Sequence, residues 1–300
     1  IKYNFKIYRL TKLDEELCSI HWNVTMLKLI IVLSLSPNIS ALDRRTVNQH
    51  TMLRNGKLKH PLRIIDGHDI TDSKYPFVVV LFQINRNYKH HISRCCTASM
   101  MAKNWILTAA HCVDYLLTKK FYVWYGNYTV PPLKSKLFTI VLDIFIHPAY
   151  RTLEAEALET LIVDNDISLL RVDDIYMQSY GKISSVDHTT LIGLAVTFVG
   201  AGTTNKPGDD EIRYLQVGEA AIITCDLEFR DVTKFLICIT PKCSNRMHTT
   251  DSGDSGGPLL YDNKIIGVLS YGLSDEITVK DGYVPVSPYI DWIYEVTHSN

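Results

Sequence analysis

The chain of 300 residues carries 46% hydrophobic and 21% charged side chains, a globular balance that excludes disordered and fibrous classes. A formal net charge of -1 gives no electrostatic footprint for nucleic acid, so no such partner is expected. Seven cysteines are more than a cytosolic enzyme ordinarily needs and point to an oxidising compartment.

The first residue is Ile1, and the first methionine is Met26. From there Lys28, an apolar run over 27–35 and a small-residue end at Ser40-Ala41 have the layout of a secretory signal peptide. The run is too short to span a bilayer, so no membrane partner is expected. As an alternative, the same run could be a buried strand or helix. Residues 1–25 are read as a non-native or untranslated leader and set aside, Cys18 included; 26–41 are the signal peptide. Residues 42–63 hold Arg44, Arg45, Arg54, Lys57, Lys59 and Arg63 against one acid, Asp43. Without apolar periodicity, they read as a solvated propeptide. They end where Arg63 meets Ile64-Ile65-Asp66-Gly67, a junction open to a trypsin-like protease.

From residue 64 to 300 the chain becomes short β-type runs separated by turn residues, over 77–82, 105–108, 121–125, 137–146, 167–172, 194–199, 219–223, 258–261 and 264–270. Many short strands at even spacing predict an all-β barrel or sandwich. Residues 153–161 are the one candidate for helical period among them and read as a loop insertion. At the end Ser287 can cap a helix, Pro288 suits its first position, and Tyr289, Ile290, Ile293 and Val296 recur at helical spacing.

Three motifs carry chemistry. Thr108-Ala109-Ala110-His111-Cys112 closes a strand with a histidine among small residues. Asn165-Asp166-Ile167-Ser168-Leu169-Leu170 sets a carboxylate at the mouth of an apolar strand. Gly253-Asp254-Ser255-Gly256-Gly257-Pro258 is a glycine-rich turn around a serine. Each alone reads more readily as structure. Together they supply what a serine hydroxyl needs, a base to take its proton and donors for the developing oxyanion. The order is His, Asp, Ser, one of several orders that triads adopt.

With Ile64-Ile65-Asp66-Gly67, Ser270-Tyr271-Gly272 and Trp292-Ile293, these motifs make residues 64 to about 298 resemble a chymotrypsin-fold serine endopeptidase of the trypsin-like family, of the simple secreted kind frequent in insects. The resemblance implies two six-stranded antiparallel β-barrels with a short C-terminal α-helix. It makes Ser255 the nucleophile, His111 the general base and then acid, and Asp166 the residue that orients the imidazole. The backbone N–H groups of Gly253 and Ser255 would form the oxyanion hole, and Ser270 would support Asp166. Ile64, freed by cleavage, would pair with Asp254. Disulfides Cys96–Cys112 and Cys225–Cys238 are implied. Cys95 and Cys243 have no family counterpart and form a third bridge only as one option, since sequence does not decide connectivity. Also implied are protein or peptide substrates, serpin or Kunitz-type inhibitors, an activating trypsin-like protease, a monomer, and an extracellular, secreted location. No cofactor or metal is expected. The 127–136 loop lacks the acids that hold calcium in similar enzymes, and adjacent His90 and His91 would point to opposite strand faces.

The pattern loosens around substrate binding, assigned by resemblance to Thr249, Ser270, Tyr271, Gly272 and Asp281. Thr249 stands where trypsins carry the pocket-floor aspartate. Asp281 falls on the opposite wall if the count back from Tyr283 holds, giving trypsin-like or mixed specificity. If Gly282 takes that place, a chymotrypsin-like preference follows. Two family bridges are lost at both ends, at Val196 with Tyr261 and at Asp251 with Asp275, while Thr97 and Ala98 replace glycines. Two other classes stay open, a catalytically silent homologue acting as a binding or regulatory protein and a module whose basic arm holds an anionic surface.

Overall fold

The computed structural model describes residues 8–9, 68–70, 74–85, 91–114, 120–155, 160–202, 213–225, 233, 235–241, 250, 252–274 and 279–299. The leader, signal and propeptide assignments otherwise lie outside them, as do Ile64, Thr249, Asp251, Asp275, Cys18 and Cys243. Two-residue β1 (Tyr8–Arg9) is an edge strand, pairing Tyr8 with Ile144 and Arg9 with Asp143, although the sequence reading left its segment aside.

The next strands are β2 (His68–Ile70), β3 (Val78–Asn85), β4 (His91–Ala102), β5 (Trp105–Thr108) and β6 (Tyr122–Trp124), followed by the four-residue helix α1 (Pro132–Ser135). After α1 come β7 (Phe138–Ile146), the pair β8 (Arg151–Ala155) and β9 (Thr160–Asp164), and β10 (Ser168–Val172). In space β7, β10, β5, β4, β3 and β6 are neighbours in that order, and β6 pairs back onto β7. All these pairings are antiparallel, so six strands close a barrel and leave no bare edge among them. Val78, Val79, Val80, Leu81 and Phe82 are all at most 1% exposed. Side chains alternate between faces along a strand, so this run is covered on both. Phe82 meets Trp124 edge-on with ring centroids 6.4 Å apart, and the Arg94 guanidinium lies 4.5 Å over the Trp124 ring.

The second barrel begins with β11 (Lys182–Ile183) and a 3-10 turn at His188–Leu191, then β12 (Ala195–Gly200), β13 (Leu215–Ile223), β14 (Ile237–Pro241), β15 (Pro258–Tyr261), β16 (Lys264–Ser274) and β17 (Val279–Pro285). Here β16, β15, β12, β13, β14 and β17 follow one another, and β16–β17 closes the ring. Strand β2 adds to β13 and β11 adds in parallel to β16. The core centres on Phe198, Ile222, Ile239, Leu259, Leu269 and Tyr283, each large side chain contributing about 1.5–3 kcal/mol by leaving water. The two-residue turn Asp262-Asn263 between β15 and β16 has φ of 49° and 55°, the left-handed pair that a tight hairpin requires.

Three sequence expectations change. Residues 153–161 fall in and between β8 and β9, an antiparallel hairpin closed by Arg151–Asp164 at 3.1 Å, neither a helix nor an irregular loop. Strand β4 was not foreseen, because Ser93-Arg94-Cys95-Cys96 breaks the apolar pattern. At the C-terminus a 3-10 turn at Ser287–Tyr289 leads into α2 (Ile290–Ser299), whose inner face is Trp292, Ile293 and Val296. Val286, not Ser287, occupies the turn's cap position and no side chain caps it, although Pro288 does lie in its first turn.

Phe198 and Gly218 are cross-strand partners, and a Cβ on Gly218 would collide with the Phe198 ring. Gly218→Ala is expected to cost about 1–3 kcal/mol by overpacking, read as a lower midpoint in urea unfolding.

Candidate active site

Asp166 follows the β8–β9 hairpin and leads into β10. Its neighbour Asn165 has φ of 53° and donates through Nδ2 to the Ala149 carbonyl at 3.0 Å, while the Tyr289 hydroxyl donates to Asn165 Oδ1 at 2.9 Å. That turn drives the Asp166 side chain inward to 0% exposure. A carboxylate removed from water needs donors, and it has three. The His111 backbone N–H reaches Oδ1 at 2.8 Å, His111 Nδ1 lies 2.6 Å from Oδ2, and the Ser270 hydroxyl donates to Oδ2 at 2.5 Å. His111 and Asp166 come from the first barrel and Ser270 from the second.

His111 sits in a helical turn that begins where β5 ends, with Val113 and Asp114 both donating to the Ala110 carbonyl. The Ser168 hydroxyl donates to the Ala109 carbonyl at 3.0 Å and so fastens the Asp166 strand to the His111 strand. The His111 side chain is 27% exposed. Burial opposes its charged form, but the Asp166 carboxylate, by charge and by hydrogen bond, and the Asp114 carboxylate outweigh this and raise its pKa above the ordinary 6.5. Its Nε2 lies 3.8 Å from Cys112 Sγ. Cys96, His111 and Cys112 form a cluster of potential metal ligands. The two sulfurs are joined to each other, however, and a disulfide offers no thiolate to a metal.

The serine turn packs against the same strands. Gly253 and Gly256 have φ of 91° and 79°, and a Cβ on Gly256 would strike Thr108 and Thr97 and come within 3.2 Å of the Ala109 nitrogen. Ser255 is half-buried, and its carbonyl accepts from the Thr97 N–H at 2.8 Å. The structure thus joins His111, Asp166 and Ser270 by hydrogen bonds and brings the Ser255 turn onto the strand ending three residues before His111. Asp254 is 2% exposed, accepts from the Gly202 N–H at 2.7 Å and fills space that a Cβ on Gly200 or Gly202 would need.

Of the residues expected to bind substrate, Ser270, Tyr271 and Gly272 follow one another on β16, and Gly272 pairs with Asp281 of β17. Asp281 is 3% exposed and accepts from Thr250 Oγ1 at 2.8 Å and Thr250 N at 3.2 Å. A Cβ on Gly282 would collide with the Tyr271 ring. Both implied disulfides are present, Cys96–Cys112 and Cys225–Cys238. Cys95 is also disulfide-bonded. Sequence reasoning missed Asn165, Ser168 and Tyr289 as supports of Asp166. For Ser168 the available signal was a hydroxyl lodged in an apolar strand, where it must find a partner.

The sequence model of the Trypsin family matches residues 64–293. Kallikrein-11 of Mus musculus is 28% identical over 260 residues, covering 83% of this chain and 87% of that protein. Trypsin of Phaedon cochleariae is 28% identical over 247 residues, covering 79% and 89%. Among solved structures, HL collagenase superposes with a TM-score of 0.59 at 20% identity over 78% of this chain and 98% of its own, a likeness of fold.

His147 stacks edge-on against Tyr289 and Trp292, both at 5.0 Å. Burial lowers its pKa to about 4, against the opposing pull of Asp164. The unfolded imidazole therefore binds a proton that the folded one refuses, and stability falls as pH drops from 6.5 towards 4. Urea midpoints measured over that range should fall for the natural chain and fall less for His147→Phe.

Proposed function

The chain belongs to the trypsin family of serine endopeptidases, and we propose that it hydrolyses peptide bonds with Ser255, His111 and Asp166 as a catalytic triad, after cleavage of a secreted precursor at Arg63-Ile64. The observation that carries this reading is the buried Asp166 carboxylate, held by the His111 backbone N–H, by His111 Nδ1 and by the Ser270 hydroxyl. A carboxylate on Nδ1 keeps the Nδ1–H tautomer, so Nε2 is left to accept a proton.

In the proposed reaction, Ser255 Oγ attacks the substrate carbonyl carbon and passes its proton to His111 Nε2. The carbonyl oxygen becomes an oxyanion held by the Gly253 and Ser255 N–H groups. His111 then protonates the leaving amine, and water releases the acyl group by the same route reversed. This transfer requires Nε2 and Oγ to come within hydrogen-bond reach once substrate closes the site. One lost oxyanion donor typically costs about 10²–10³ in rate.

Activation rests on Asp254. Its carboxylate is buried and accepts from the Gly202 N–H, and the new α-amino group of Ile64 is a suitable counter-charge for it. Removing one partner of a buried charge pair costs about 3–5 kcal/mol, enough to couple cleavage to the shape of the serine turn. Arg63 and the acidic reach of Asp281 both fit a trypsin-like activator and a trypsin-like or mixed substrate preference, Asp281 being buried beside Thr250, next in sequence to Thr249. Secretion follows from the signal layout at 26–41, and no described helix is long and apolar enough to cross a membrane. Serpin or Kunitz-type inhibitors and a monomeric state complete the proposal. The comparisons give no support to a catalytically silent homologue.

Limited trypsin treatment should produce an active form whose N-terminal sequence begins at Ile64; an active form beginning elsewhere would refute the activation scheme. For that form, kcat/KM should rise with pH through a midpoint above 6.5, because the base must be neutral and its pKa is raised. Asp166→Asn should lower kcat about 10⁴-fold and move the midpoint down. On fluorogenic peptides ending in Arg, Lys, Leu or Phe, Asp281→Asn should depress Arg and Lys cleavage more than Leu and Phe cleavage.

A further inference from the structure

Thr97 stands where the resemblance implies glycine, and the departure is not neutral. Its side chain is fully buried, at 0% exposure on β4. Its hydroxyl donates to the Gly253 carbonyl at 2.8 Å and accepts from the Ala201 N–H at 3.0 Å. Its backbone N–H donates to the Ser255 carbonyl at 2.8 Å, and its own carbonyl accepts from the Thr108 hydroxyl at 3.0 Å. Every polar group of this residue is engaged, and three separate segments meet on it.

The partners are the point. Gly253 and Ser255 flank Asp254 and carry the two N–H groups assigned to the oxyanion. Ala201 precedes Gly202, whose N–H holds the Asp254 carboxylate. Thr108 lies three residues before His111. Gly253, with φ of 91°, has no Cβ to restrict it, so its peptide planes could rotate at little steric cost. A hydroxyl that can satisfy Gly253's carbonyl in one direction only removes that freedom. A glycine at position 97 has no hydroxyl and could not do so.

We propose that the Thr97 hydroxyl is a positioning residue for catalysis, clipping the Gly253–Ser255 turn to β4 and to the end of β12 so that the oxyanion donors stay aligned. The inference rests on the catalytic reading of Ser255, His111 and Asp166. Thr97 touches neither substrate nor reacting atoms; it acts through Gly253.

Thr97→Val keeps the shape and deletes the hydroxyl, leaving the Gly253 carbonyl and Ala201 N–H buried without it. A lost alignment of donors acts on the transition state more than on substrate binding. In the activated enzyme, kcat should therefore fall about ten- to hundredfold with KM within about threefold. Affinity for a peptide boronate, which mimics the tetrahedral intermediate, should fall by a similar factor. Thr97→Ser restores the hydroxyl and should recover most of the kcat. Should Thr97→Val fail to fold, Thr97→Ala makes the same comparison. A hydroxyl-free variant that folds with kcat and boronate affinity within twofold of the natural enzyme overturns the inference, as does a Thr97→Ser variant as impaired as Thr97→Val. A natural chain that is cleaved at Arg63 yet hydrolyses no peptide overturns the catalytic reading, and this inference with it.

Discussion

A carboxylate with no access to water organises the centre of this protein. Asp166, at 0% exposure, would be strongly disfavoured as an anion unless its lone pairs were met by donors in the right directions. Two donors come from His111 and one from Ser270. Satisfying it therefore requires that the end of β5, the start of β10 and the middle of β16 converge. Two closed barrels meet along that line, and the imidazole is left with one nitrogen committed to Asp166 and the other turned away from it. The Tyr289–Asn165 bond extends the same support to the C-terminal segment.

Asp254 poses the same problem in the second barrel. It is buried beside two glycines whose missing side chains make room for it, and the Gly202 N–H meets it. The turn that carries it bends through two left-handed glycines, a cheap shape to adopt and a cheap one to leave. Thr97 supplies a restraint that glycine cannot, and in the activation scheme Ile64 supplies the counter-charge. The stability of the barrels and the alignment of the turn are thus set by different residues. The first depends on burial of Phe82, Trp124, Phe198 and Tyr283, the second on a few hydrogen bonds in a region with little backbone resistance of its own.

Much of this was legible in the chain. Strands rich in valine, isoleucine and phenylalanine declared themselves, as at 77–82 and 137–146, and short motifs around His111, Asp166 and Ser270 named the residues that converge on this carboxylate. What was not legible depended on long-range contacts. Strand β13 reads as beginning at Glu219, because Gly218 looks like a turn; it continues back to Leu215 because the Phe198 ring covers the glycine. Strand β17 hides for the same reason, with Tyr271 over Gly282. Strand β4 contains Arg94, which no β-propensity favours in a buried place, yet the Trp124 face receives it. Thr97 could be marked as a departure from the family pattern, but its role requires knowing that Gly253 and Ala201 lie beside it, 156 and 104 residues away in sequence.

The central claim is that Ser255, and no other serine, is made nucleophilic by this arrangement. The most direct test is to treat the trypsin-activated protein with diisopropyl fluorophosphate and locate the adduct by peptide mass spectrometry. The account predicts a single diisopropylphosphoryl group on the peptide containing Ser255, and none on Ser255→Ala treated in the same way. An adduct on another residue, or one that persists in Ser255→Ala, would contradict it.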